Sequence, residues 1–387
     1  MNKNITPSIK YIGVDDTMLD LFESQYIIPN GISYNSYLIL DKKVAIMDTV
    51  DRRMCDEWWT NLRNALNGRI PDYLVVHHME PDHAGNIAMV LSIYPNLKIV
   101  ATTKAIAMLP QFFENIDFNG RTIAVNEYEK LSLGSRSLQF FMAPMVHWPE
   151  VMITYDSTDK VMFTADAFGK FGALCYDEDW VSEARRYYFN ICGKYGIPVQ
   201  AFLKKISSLN IKHICPLHGP ILSGNLEYYI NFYDTWSKYE AESDGVFIAY
   251  ASIHGGTKAT ALKIAEILKE NGAKKIVITD LSRDDISKAV ENAFYFSRMI
   301  VAASSYDGDV FPPMYDFLHH LKLKAYQRRR VGIIENGSWA PSAGRVMKEM
   351  LCKMKELNII NSIVTIRSTI KEGDYTALKA LADAILK

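Results

Sequence analysis

The segment His77-His78-Met79-Glu80-Pro81-Asp82-His83-Ala84-Gly85 gathers imidazoles and carboxylates into one short stretch. His78, Glu80, Asp82 and His83 are four potential metal ligands within six residues. Alternate positions on an extended segment face the same side, so His78, Glu80 and Asp82 are expected to converge. Such a cluster is costly to bury unless a cation compensates it. Three further residues share the same setting. His147 sits in Pro144-Met145-Val146-His147-Trp148-Pro149, Asp166 in Ala165-Asp166-Ala167-Phe168-Gly169, and His218 in Cys215-Pro216-Leu217-His218-Gly219-Pro220. Each follows a short β-forming run and is flanked by Gly or Pro. Any one of them alone reads as a structural residue; the combination reads as a metal centre assembled from several loops. His77 alternates to the other face and reads as support for the ligands or as structure. His213 reads as a core or surface histidine. His319 and His320, on a helical stretch, read as solvated.

A second set of residues suits a phosphate and a flat ring. In Ala251-Ser252-Ile253-His254-Gly255-Gly256-Thr257-Lys258, backbone N–H groups and the Ser252 and Thr257 hydroxyls can surround one phosphate at a helix N-terminus. The stretch is neither a Walker loop nor a G-x-G-x-x-G fingerprint. Two other segments join it. One is Ser304-Ser305-Tyr306-Asp307-Gly308, the other Asn336-Gly337-Ser338-Trp339. Tyr306 and Trp339 offer aromatic faces. The plainer reading is an ordinary Gly-rich turn, with Trp339 in the core.

These residues need elements to position them. Up to about residue 244 the pattern is of short strands, over 37–40, 44–48, 73–76, 98–102, 122–125, 138–142, 151–155 and 161–164. Helical patterns interrupt them at 55–66, 105–114, 180–192, 199–209 and 226–242. Ser243-Asp244-Gly245 is polar and turn-forming, and marks a domain boundary. Beyond it, strands at 246–250, 275–279, 299–303, 330–335 and 363–367 alternate with helices at 258–271, 286–293, 312–323, 340–357 and 375–386. That rhythm predicts a doubly wound parallel sheet covered on both faces. The predicted domains are therefore 1–244 and 245–387. The three candidate ring-and-phosphate segments follow the first, third and fourth strands of this sheet, which meet at its switch point.

Composition narrows the classes. The 387 residues are 49% hydrophobic, with 43 basic and 44 acidic side chains. A net charge of −1 gives no reason to expect nucleic acid as a partner. The five cysteines, Cys55, Cys175, Cys192, Cys215 and Cys352, form no CxxC pair. A disulfide framework or zinc ribbon is not expected, and a reducing, cytoplasmic location is. The N-terminus lacks the apolar region of a signal peptide, and no run reaches the length of a membrane span, so no membrane is expected as a partner.

The H-x-E-x-D-H motif, followed by single His, Asp and His residues on later strands, resembles the flavodiiron proteins, which are oxygen and nitric oxide reductases. The resemblance extends over the whole chain, including Gly31-Ile32-Ser33-Tyr34-Asn35 and the Asn-Gly-Ser-Trp run. It implies an α/β protein: an N-terminal metallo-β-lactamase-like αββα sandwich, then a flavodoxin-like five-stranded parallel sheet holding flavin mononucleotide (FMN). It implies that His78, Glu80 and His147 hold one non-haem iron, that Asp82, His83 and His218 hold a second, and that Asp166 bridges both. FMN contacts are then expected from Ser252, His254, Gly255, Gly256, Thr257, Ser304, Ser305, Tyr306, Asp307, Gly308, Asn336, Gly337, Ser338 and Trp339. No catalytic group is assigned beyond the ligands.

Residue chemistry agrees with iron. Hydrolases of this fold carry histidine where this chain has Glu80, and the extra hard oxygen donor suits iron or manganese. Three carboxylates and one hydroxide would offset two divalent irons. Reduction of O2 to water takes four electrons and reduction of two NO to N2O takes two, so a di-iron centre with FMN matches either gas. With no CxxC module, the electron donor is a separate protein, such as rubredoxin or a deazaflavin- or nicotinamide-dependent reductase. The resemblance also implies a head-to-tail homodimer or a dimer of dimers. The competing readings are a zinc metallo-β-lactamase-like hydrolase fused to a flavodoxin domain, and an electron carrier whose metal domain has decayed.

Overall fold

The computed structural model describes residues 4–387. The chain forms two compact units. The first runs to Tyr188 and resumes over Ile197–Asp234; the second takes Phe189–Gly196 and Thr235–Lys387. The sequence places this boundary at 244/245. The structure places residues 235–244 with the second unit, where the Glu242 N–H donates to the Tyr295 carbonyl at 3.1 Å. Phe189 belongs there too, stacked on Phe294 with ring centroids 4.1 Å apart.

The first unit contains two six-stranded sheets. One is ordered Ile9–Tyr11, Tyr37–Leu40, Val44–Met47, Tyr73–Val75, Lys98–Thr102, Thr122–Val125. The other is ordered Lys130–Ser132, Ser137–Met142, Met152–Asp156, Val161–Phe163, His213–Cys215, Leu222–Ser223. Their apolar faces meet in one core, where Tyr37, Ile39, Met47, Val75 and Val100 join Leu138, Phe140, Met152, Phe163 and Cys215. Each such buried apolar side chain contributes about 1.5–3 kcal/mol. Cys55–Leu66 and Thr103–Phe112 pack on the first sheet. The second helix is capped by Thr102, whose Oγ accepts from the Ala105 N–H at 3.1 Å. This is a metallo-β-lactamase-like sandwich.

Strand direction decides where its loops gather. The last four strands of the first sheet run parallel, so their C-terminal ends line one edge. Val161–Phe163 and His213–Cys215 are likewise parallel in the second sheet. The segments carrying His78 to His83, Asp166 and His218 all leave such ends.

The second unit is a flavodoxin-like parallel sheet, ordered Ile276–Asp280, Ser243–Ala251, Phe296–Tyr306, Arg330–Asn336, Asn358–Ile366. Its core includes Val246, Ile248, Ile300, Ala302, Ile334 and Val364, covered by Ile264, Leu268, Leu378 and Leu381 from two helices. Neighbouring strands connect on opposite sides of Ser243–Ala251, which creates the switch point.

Several element boundaries differ from the sequence reading. The strand Phe296–Tyr306 takes in Ser304 and Ser305, read from sequence as loop. It pairs with Asp309–Val310 across a tight turn in which Asp307 and Gly308 have φ of 50° and 73°, the chemistry of a two-residue hairpin. The helix expected over 340–357 is Ala343–Leu351, because Pro341 and Ser342 precede it. The last strand starts at Asn358, on a largely exposed edge where polar residues mask the period. The helix expected over 180–192 is α-helical only over Trp180–Tyr187, then π-helical over Tyr188–Cys192. Helix Leu226–Ser237 is shorter than the predicted 226–242. The N-terminal strands before Tyr37 are only two or three residues long, too short for periodicity to mark.

Candidate metal centre and flavin cleft

All seven proposed metal-binding side chains come together at the strand ends of the sandwich. They form two groups: His78, Glu80, His147 and Asp166, and Asp82, His83 and His218. Within each group the ligand-type atoms lie within 4.8 Å of one another. Asp166 faces both. Its Oδ2 lies 3.0 Å from His147 Nε2 and 3.3 Å from His78 Nε2. Its Oδ1 lies 3.2 Å from His83 Nε2 and 3.7 Å from His218 Nε2. Glu80 Oε2 approaches His78 and His147 at 3.1 and 3.2 Å. Asp82 Oδ2 approaches His83 and His218 at 3.2 and 3.3 Å.

The expected convergence of His78, Glu80 and Asp82 on one face does not occur. Glu80 is extended, but Pro81 opens a single helical turn, Pro81–Ala84. Proline suits that position because it lacks the N–H that would be unpaired there. The turn ends the alternation and swings Asp82 and His83 into the second group. One motif thus serves two positions.

The donor set suits cations. Both Asp82 carboxylate oxygens and Asp166 Oδ1 are buried without a hydrogen-bond partner. The Nε2 atoms of His83 and His218 lie only 3.1 Å apart. Lone pairs so placed repel unless a proton or a metal ion lies between them. Burial disfavours a charge on His78, but Asp166, Glu150 and Glu80 outweigh it and raise its pKa well above the usual value. His83 is raised in the same way, against burial, by Asp82 and Asp166. His147 is pushed up to about 9, burial again opposing and Asp166 and Glu80 prevailing. Burial would raise Glu80 and Asp166, yet the histidines hold both below the usual carboxylate range. The carboxylates therefore draw positive charge into the cluster, and metal ions are a natural source. Mixed carboxylate and imidazole donors without thiolate suit iron or manganese.

Other residues hold this set in place. His77 donates its backbone N–H to Asp48 Oδ1 at 2.7 Å, and its ring bridges Asp48 and Thr154. It is a supporting residue, as its place in the sequence implies. The Gly31–Asn35 stretch anchors the His218 loop. Asn35 Nδ2 donates to the carbonyls of Pro216 and Gly219 at 2.8 Å, and Ser33 O accepts from His218 Nδ1 at 2.7 Å. Ala165, immediately before Asp166, has φ of 49°, a strained conformation costing about 1–3 kcal/mol. Its carbonyl is held by the Leu217 N–H at 2.9 Å. Glu150 was not singled out from sequence. It is buried beside His78, and the available signal was its position three residues after His147. His213 bonds Ser223 at the edge of the sheet, and His320 lies near Asp316 on its helix.

The second unit has a cleft of about 660 Å³ at the switch point, within the range of ligand sites. Its lining includes His254, Gly256, Thr257, Ser304, Ser305, Tyr306, Asp307, Gly308, Asn336, Gly337, Ser338 and Trp339. Two residues singled out from sequence are not in the lining. Ser252 turns its Oγ back to accept the Gly255 N–H at 3.1 Å. Gly255, at φ 89°, is the N-cap of the helix Gly256–Glu270. Ser305 lines the cleft but is also engaged, since its Oγ accepts from the Ser342 and Ala343 N–H groups. The cleft also includes Ile253, Ala340, Ser342, Ser368 and Thr369, which the sequence reading left out. Ser368 and Thr369 follow the fifth strand. Asn336 and Ser368 exchange two hydrogen bonds, at 2.9 and 3.0 Å, joining the fourth and fifth strand ends.

Gly256 cannot carry a side chain: a Cβ there would lie 2.2 Å from the Ser368 carbonyl oxygen. The first N–H groups of the helix that it opens have no intrahelical acceptor and favour an anion. With the Thr257 and Ser304 hydroxyls 2.9 Å apart, they suit a phosphate. Tyr306 is 46% exposed and Trp339 88% exposed, so both rings stand open at the rim. Trp339 is not a core residue. The donors and the flat rim fit a flavin nucleotide.

Comparison with known proteins places the chain among related sequences and folds. Residues 32–219 match the family model described as ODP family beta lactamase. The chain is 30% identical over 365 residues to a nitric oxide reductase of Moorella thermoacetica, covering 90% of this chain and 88% of that one. A flavo di-iron protein mutant from Thermotoga maritima superposes with a TM-score of 0.89 at 26% identity, covering 99% and 98% of the two chains. Rubredoxin oxygen:oxidoreductase of Desulfovibrio gigas shares the fold, with a TM-score of 0.93 at 24% identity and coverage of 99% and 97%. The chain belongs to the flavodiiron protein family.

Proposed function

We propose that this oxidoreductase reduces O2 to water, NO to N2O, or both, at a di-iron site, with electrons passed through FMN from a separate donor. The observation that carries the reading is Asp166, whose two oxygens each face one pair of histidines. In this reading His78, Glu80 and His147 hold one iron, Asp82, His83 and His218 hold the other, and Asp166 bridges them. When bound, the irons would supply Lewis acidity and one electron each, and FMN would supply two electrons more.

The chain's own part is to hold and shield. Buried His78, His83, His218 and Asp166 keep the donors aimed inward, with Nε2 toward the carboxylates. The Asp48–His77–Thr154 network and the Asn35 anchor fix the two loops that bring them. Glu80 and Asp82 are engaged as ligands and do not act as general bases, so protons arrive through water. In the second unit the Gly256–Glu270 helix start and the Thr257 hydroxyl hold the FMN phosphate, and Tyr306 and Trp339 flank the ring.

The name of the Moorella relative supports the NO arm. The O2 arm rests on the family resemblance and on the electron count. The donor is proposed to be rubredoxin or a deazaflavin- or nicotinamide-dependent reductase. The assembly is proposed to be a head-to-tail homodimer or a dimer of dimers, setting one copy's flavin cleft against the other's metal centre. No helix among the described residues is long and apolar enough to cross a membrane. The five cysteines form no disulfide, in keeping with a proposed cytoplasmic location. The zinc-hydrolase alternative is not favoured, since Glu80 replaces a nitrogen donor and the Moorella relative is by name a reductase.

The test is to reduce iron- and FMN-loaded protein anaerobically and to measure consumption of O2 and of NO in separate assays. Turnover of at least one gas is expected. Negligible consumption of both with correct loading refutes the proposal, and purified protein holding two zinc and no iron points to the hydrolase.

A further inference from the structure

The cluster's imidazoles are not backed alike. His78 turns Nδ1 away from the cluster to Glu150 Oε1, at 2.8 Å, with both side chains fully buried. The same oxygen accepts the Met79 N–H at 2.9 Å, so one carboxylate holds both the ring and the backbone beside it. Glu150 is itself fixed, its carbonyl accepting from Thr102 Oγ at 3.0 Å. Its other oxygen, Oε2, is buried with no hydrogen-bond partner, leaving most of the charge to act on His78. In the other group, His218 Nδ1 donates to a neutral acceptor, the Ser33 carbonyl, and His83 Nδ1 has no partner. A carboxylate behind a ligating imidazole makes it a stronger donor than a carbonyl does, and fixes its tautomer and orientation.

Asp166 is shared, and each group has one carboxylate of its own, Glu80 or Asp82. Glu150 therefore gives the His78 group one more negative charge than the other. We propose that Glu150 is a positioning residue which, through His78, makes the two metal positions unequal. The position formed by His78, Glu80 and His147 binds its ion more tightly and fills first. This rests on the two-metal reading of the site above.

The test titrates Co2+ alone into the metal-free full chain and follows its visible absorption. Two steps are expected in the native protein, the tighter one lost in His147→Ala and kept in His218→Ala. Glu150→Gln keeps an acceptor for His78 but removes the charge. It should weaken the tighter step by about 10–100-fold and leave the weaker step in place. Glu150→Asp should restore part of the difference. Equal weakening of both steps in Glu150→Gln, or no change in either, overturns the proposal. If that variant does not fold, a native-protein measurement decides the matter. One equivalent of 57Fe2+ should give a single Mössbauer doublet, whereas an even distribution over two environments overturns the inequality. Uptake of no metal by the native chain refutes the two-metal reading itself, while two equivalents bound with equal affinity refute only the role of Glu150.

Discussion

The candidate metal centre and the candidate flavin cleft solve opposite problems. The first gathers three carboxylates and four imidazoles in a largely buried cluster, and several of their polar atoms have no partner within the chain. The second uses backbone N–H groups, hydroxyls and two open aromatic rings at a surface. Buried charges without partners are costly, so on the proposed reading the first site would depend on bound ions for stability as well as for chemistry. Backbone donors at a helix start are satisfied by water when no ligand is present, so the second costs the fold little. Loss of the one carboxylate that faces both groups should therefore be severe across the metal site, whereas losses in the cleft should be graded.

The sharpest test of that contrast is Asp166→Ala. In the two-iron reading both positions use this carboxylate, so iron content should fall for both, and gas consumption should drop by more than the roughly 10–100-fold expected from loss of an outer partner. FMN content, read by absorbance, should stay at the native level. Retention of two irons would break the comparison. Metal loading comes next. An ion at about 1,000 times its Kd stabilises the folded state by about 4 kcal/mol, which for a unit of this size raises its melting midpoint by about 8–16 °C. Calorimetry should show that rise in the transition of the first unit; FMN loading should not produce it there.

Within the cleft, Gly256→Ala is expected to have the largest effect. Its Cβ meets a backbone oxygen that cannot rotate away, so FMN affinity should fall about tenfold or more, with iron content unchanged. The smallest effect is expected for Trp339→Ala. An aromatic stacking contact is worth about 0.5–1.5 kcal/mol, which converts to roughly 2–10-fold in FMN affinity by fluorescence titration. Since Trp339 is almost fully exposed, the melting midpoint without FMN should not move. A large loss of stability there would mean that the ring packs in the fold after all.

Much of the architecture was legible in the chain because burial leaves a periodic trace. The parallel strands of the second unit are continuous apolar runs, and their alternation with helices marks a doubly wound sheet. The short N-terminal strands carry no such trace. Nothing local marks the fifth strand end as part of the cleft, because Ser368 and Thr369 join it through reciprocal bonds between Asn336 and Ser368.

At the metal centre, residue type and strand-end position were enough to mark all seven side chains as a candidate set. Their chemistry is local: imidazole and carboxylate beside Gly or Pro, after an apolar run. How the set divides is not local. Extended alternation predicts one face, and the four-residue turn that Pro81 opens, Pro81–Ala84, separates Glu80 from Asp82. The role of Glu150 is less local still, since its carboxylate meets His78 from 72 positions away. Side-chain type and short-range spacing mark which atoms are candidates to bind a metal or a phosphate, because donor chemistry is local. The tertiary structure decided which atoms face which, and which ring a charge supports, because those depend on how distant strand ends converge.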